Sequence, residues 1–136
     1  MSKASILFLC PHGGAKSVMA ASFFNQLAEV GELPFTATAA AAEDPYAAVP
    51  DPVANLLQRE GVDVRSYEPR HVGAEDVDAA AKVITIGCDP ATLGELTAGP
   101  VEQWNDVPQA SEDLDGSASA IRRHVAALVE ELRGRR

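Results

Sequence analysis

The chain has 136 residues, 46% of them apolar, which suits one domain built around one core. Its net charge of −9 argues against nucleic acid or an anionic membrane surface as the main partner. No stretch reads as a membrane span or a secretory leader, so a cytoplasmic protein with reduced thiols at Cys10 and Cys88 is expected.

Residues Ala4–Cys10 are apolar, short and ended by Pro11, and predict a buried strand. Ala15–Val30 predicts a helix, with Val18, Met19, Phe23 and Leu27 on one face and Gly31 as its stop. Phe35–Ala40 is a second strand, followed by a loop through Val49. Asp51-Pro52 opens a helix that Gly61 ends. A polar segment around Pro69-Arg70-His71 leads to a short helix over Ala74–Ala81. Lys82–Gly87 is β-branched and apolar and predicts a strand. Pro100–Trp104 reads as a short edge strand, Asn105–Gly116 as a polar loop, and Ser117–Leu132 as a final helix at period 3.5–3.6.

Strands alternating with helices predict an α/β three-layer sandwich on a parallel sheet, one domain over residues 1–136. Ligands bind such sheets beyond the carboxyl ends of the strands. Cys10 stands at one such end, and Gly87-Cys88-Asp89 at another. After Cys10 comes a glycine-containing loop, Pro11-His12-Gly13-Gly14-Ala15, and Lys16-Ser17 then opens the helix. A backbone nest, a helix N-terminus and a cation each favour negative charge, so a nucleophilic thiolate at Cys10 is expected there. The same loop can hold a tetrahedral oxyanion against that sulfur, the arrangement needed to attack a phosphoryl or arsenyl centre.

The spacing Cys10-x5-Lys16-Ser17 resembles the Cys-x5-Arg-Ser phosphate loop of low-molecular-weight protein-tyrosine phosphatases. With Cys10-Pro11-His12 at its start and Val18-Met19-Ala20 after its end, it is still more similar to that of thioredoxin-type arsenate reductases. The resemblance continues through Thr38-Ala39-Ala40, Leu56–Val64, Val83–Ile86 and the last helix. It implies a low-molecular-weight phosphatase-like fold with a central four-stranded parallel sheet and no cofactor. It also implies Cys10 as nucleophile, Ser17 as donor to the thiolate, and residues 11–15 as the oxyanion cradle, with Lys16 at the arginine position. Lysine there is a point charge where arginine is a planar fork. Relatives carry an Asp-Pro acid a few residues after a tryptophan, which makes Asp106, after Trp104, the nearest match. Glu112 and Asp113 are possible substitutes.

Three functions follow as alternatives. One is a cysteine-dependent phosphatase acting on a phosphomonoester through a thiophosphate. The second is an arsenate reductase in which Cys88, thioredoxin or a small thiol resolves the adduct on Cys10. The third is a catalytically weakened homologue that binds an inorganic oxyanion or a partner and acts as a regulator. Cys88 also reads as a small buried residue at a strand end, and His12 as a loop residue and not a proton carrier. Tyr46, Tyr67 and Trp104 are candidates for shaping a cleft. Neither a zinc site nor a nucleotide loop fits: ligand pairs are absent, and Cys10 and Ala15 stand where glycines would be required.

Overall fold

The computed structural model describes residues 4–88, 91 and 101–134. In chain order the elements are β1 Ala4–Cys10, α1 Lys16–Val30, β2 Phe35–Ala41, α2 Asp51–Arg59, α3 Ala74–Ala79, β3 Ala80–Ile86, β4 Glu102–Trp104 and α4 Leu114–Arg133. The four strands form one sheet in the order β2-β1-β3-β4, with every neighbouring pair parallel. β1 is therefore central, flanked by β2 in register Cys10 with Ala41 and by β3 in register Leu9 with Thr85.

Alternation along β1 divides the core in two. Ile6, Phe8 and Cys10 face a large cluster filled by α1, α2 and α4, whereas Leu7 and Leu9 face a smaller one closed by Val72, Val77 and Cys88. Phe8 anchors the large side, with its ring 6.2 Å from Phe24 and 5.4 Å from Trp104. Trimming such a fully buried aromatic to alanine costs about 3–5 kcal/mol. The sheet edge at β2 is blunted by Asn25 of α1: Ala37 N–H donates to its Oδ1 at 2.8 Å, and its Nδ2 donates to Ala37 O at 3.1 Å. Among the described residues no helix is long and apolar enough to cross a membrane.

Several boundaries differ from the sequence reading, among them the end of α3 at Ala79 and not Ala81, and two have a clear cause. β3 begins at Ala80, not Lys82, because Ala80 and Ala81 are small enough for either element and Ser5 of β1 pairs with Ala80 ahead of a register shift. α4 begins at Leu114, three residues before the expected Ser117. The Asp113 carboxylate accepts from Gly116 N–H at 2.9 Å and caps the helix there. The apolar period starts later than the cap, so periodicity alone places the start too far along.

Candidate active site

β1 delivers Cys10 to the carboxyl end of the sheet, and α1 begins six residues later. The turn between them requires Gly13, whose φ is +65°. A Cβ at Gly13 would also lie 2.8 Å from Ala41 N, so no side chain fits there. Ala15 precedes α1 without supplying a side-chain cap, and the first turn carries no acid. The orphan amides of that turn are thus left without a carboxylate of their own, which suits an external anion.

Ser17 is fully buried beside the sulfur. Its Oγ lies 3.1 Å from Cys10 Sγ, and its N–H donates to the same sulfur at 3.4 Å. As a thiol, Cys10 donates to the hydroxyl; as a thiolate it accepts from it. Lys16 is 4% exposed, and its Nζ occupies the space that a Cβ at Gly87, just past the end of β3, would take. Gly87, at φ +70°, leaves that space open.

The loop borders a cleft of about 610 Å³. Cys10, Pro11, His12, Ala15 and Lys16 line one side. Tyr46, the start of α2 at Pro50–Val53, and residues 109–112 complete the wall. Gly13 lies behind the loop against β2, and the open face of Gly14 is covered by the Tyr46 ring. Glu112 is the carboxylate among the cleft-lining residues.

The expected acid, Asp106, is placed elsewhere. Its carboxylate lies 2.6 Å from His124 Nε2, and it is not among the residues lining the cleft. That bond to His124 lowers its pKa from the usual carboxylate value. His124 stacks on Trp104 at 4.6 Å, so the pair belongs to the β4–α4 edge. Asp113 is occupied as the α4 cap.

Cys88 points away from the cleft. It belongs to the small cluster behind β1, and its thiol donates to Leu9 O at 3.9 Å. Burial first, and the neighbouring Cys10 second, push its thiol up to about 11. Of the three aromatics singled out in the sequence, Tyr46 lines the cleft. Tyr67 donates to Ala39 O at 2.8 Å, and Trp104 is buried in the core. Among the described residues no group of three His, Cys, Asp or Glu side chains is placed to hold a metal ion.

No protein-family model matches the sequence, and no curated protein does either. Solved structures do match it. A low-molecular-weight phosphotyrosine phosphatase from Vibrio cholerae superposes with a TM-score of 0.81 at 18% identity, over 96% of this chain and 97% of that one. YfkJ from Bacillus subtilis gives 0.80 at 20% identity, over 100% and 98%. An arsenate reductase from Archaeoglobus fulgidus gives 0.70 at 26% identity, over 95% and 98%.

The chain has the fold of the low-molecular-weight phosphatase and arsenate reductase superfamily. The expected α/β sandwich with its four-stranded parallel sheet is the one found. Superfamily neighbours of both kinds cover nearly the whole chain, so the fold does not choose between the two chemistries.

Proposed function

We propose that the protein is a cysteine-dependent phosphatase that hydrolyses a phosphomonoester. The reading is carried by the sulfur of Cys10, bordering the cleft and held by Ser17 through both Oγ and N–H. Cys10 attacks phosphorus as the P–O bond to the leaving group breaks, giving a thiophosphate and an alkoxide or phenoxide that takes a proton. Water then attacks the thiophosphate, releasing inorganic phosphate and restoring the thiolate. Lys16 and the loop amides of residues 12–17 carry the developing charge on the equatorial oxygens.

Glu112 supplies the leaving-group proton in this scheme, because it borders the cleft whereas Asp106 is paired with His124. Replacing Cys10 by serine and following phosphate release from an aryl phosphate tests the scheme. Release is expected to vanish; unchanged release refutes the nucleophile.

A second reading is arsenate reduction, supported by the likeness to the Archaeoglobus fulgidus enzyme. The burial of Cys88 favours an external reductant, thioredoxin or a small thiol, over an internal relay. Supplying arsenate with either reductant and measuring arsenite separates this from hydrolysis.

A further inference from the structure

A strap runs behind the loop from Ala42 to Tyr46 and takes its carbonyls in turn. Ala42 N–H donates to Cys10 O at 3.0 Å, Glu43 N–H to Pro11 O at 2.9 Å, and Tyr46 N–H to His12 O at 3.0 Å. A trans peptide points its C=O and N–H in opposite directions. With the Pro11 and His12 carbonyls committed to the strap, the amides of His12 and Gly13 are aimed away from it.

Two side chains close the strap. His12 Nδ1 lies 2.8 Å from Asp44 O. A carbonyl only accepts, so Nδ1 carries the hydrogen and the ring's tautomer is fixed. The Tyr46 ring lies tilted against the imidazole, centroids 4.7 Å apart at 32°. It also covers the face of Gly14, where a Cβ would lie 2.7 Å from Tyr46 Cδ2. His12, Tyr46 and Gly14 therefore interlock, and loop and strap become one unit.

We propose that His12 and Tyr46 are positioning residues that lock the 42–46 strap onto the loop and so preset its amides for a tetrahedral oxyanion. This rests on reading the loop as an oxyanion site and not on turnover. A loop that must gather several amides with no ligand present has no internal reason to stay converged. The strap supplies one, since the Pro11 and His12 carbonyls it holds fix the opposing amides of His12 and Gly13.

The test uses inorganic phosphate as probe, with binding measured by calorimetry alongside kcat and KM for p-nitrophenyl phosphate. His12→Ala is expected to weaken phosphate binding about tenfold, the worth of one hydrogen bond. His12→Asn, whose amide can still donate to Asp44 O, is expected to restore most of it. Tyr46→Ala is expected to speed hydrogen exchange at Ala42, Glu43 and Tyr46.

Wild-type phosphate affinity in His12→Ala, or equal losses in His12→Ala and His12→Asn, overturns the proposal. So does unchanged exchange in Tyr46→Ala. Should His12→Ala not fold, imidazole nitrogen shifts of the wild-type protein at pH 8 decide: an Nδ1-protonated ring supports the lock, and an Nε2-protonated ring overturns it. Phosphate binding without hydrolysis of any ester removes the phosphatase reading and leaves this one intact. A wild-type chain that binds no phosphate removes both.

Discussion

The ammonium of Lys16 fills the space a side chain at Gly87 would occupy. The loop's cation is thereby packed against the end of β3, with 4% of the residue exposed. Two expectations follow. Gly87→Ala places a methyl in that space and forces an L-residue into φ +70°, a backbone cost of about 1–2 kcal/mol. The displaced lysine is expected to raise KM for an aryl phosphate. Lys16→Arg puts a larger planar group into the same site, and overpacking of this kind costs about 1–3 kcal/mol. It is expected to lower the melting temperature without the roughly 100-fold gain in rate that a free arginine clamp would bring. Thermal melts and steady-state kinetics on both variants check this.

Cys88→Ala is expected to leave phosphate release, or arsenite formation with an external thiol, within about twofold of wild type. The thiol lies behind β1 and is held in its protonated form, pushed up to about 11. Loss of arsenite formation in this variant, with the fold intact by circular dichroism, shows instead that Cys88 resolves the adduct.

The proton donor can be identified by leaving-group dependence. Glu112→Gln is expected to lower kcat for an alkyl phosphate about 100-fold and to spare p-nitrophenyl phosphate, whose leaving group needs no proton. Asp106→Asn is expected to affect the two esters alike and weakly. The reverse pattern returns the role to Asp106, which would then have to leave His124.

Much of the architecture is legible because its signals are local. β1 and the Cys10–Ser17 loop depend on residues adjacent in sequence, and the structure keeps them where the pattern puts them. The features the local pattern does not place depend on distant partners. Asp106 is only one position from the proline-linked acid in sequence, yet His124 eighteen residues later captures it. Strand alternation from Ile86 would set Cys88 on the face of Cys10. The positive φ of Gly87 breaks the alternation and turns Cys88 to the Leu7–Leu9 side instead. The strap left no local trace, because its bonds are backbone donors reaching across more than thirty residues to Cys10, Pro11 and His12.

The link between α2 and α3 carries an acid-sensitive brace. Asp76 accepts from both Arg70 nitrogens, at 2.7 and 2.6 Å, and from Gly73 N–H at 2.7 Å. The Arg70 bond, ahead of opposing desolvation, lowers the Asp76 pKa below 3.8. A lowered native value means the unfolded chain takes up the proton first as pH falls. The contribution to stability is whole above the ordinary carboxylate value of about 3.9 and is lost as pH drops through the lower native one. Asp76→Asn is expected to lower the melting temperature at pH 7 and to flatten its fall below about pH 4. An unchanged acid slope contradicts the assignment.

The most direct test of the central claim is to quench the protein during turnover of an aryl phosphate and map phosphorylated peptides by mass spectrometry. A phosphoryl group on the sulfur of Cys10, absent from Cys10→Ser, is the predicted result. Phosphate release that proceeds in Cys10→Ser, or a phosphoryl group found on another residue, contradicts it.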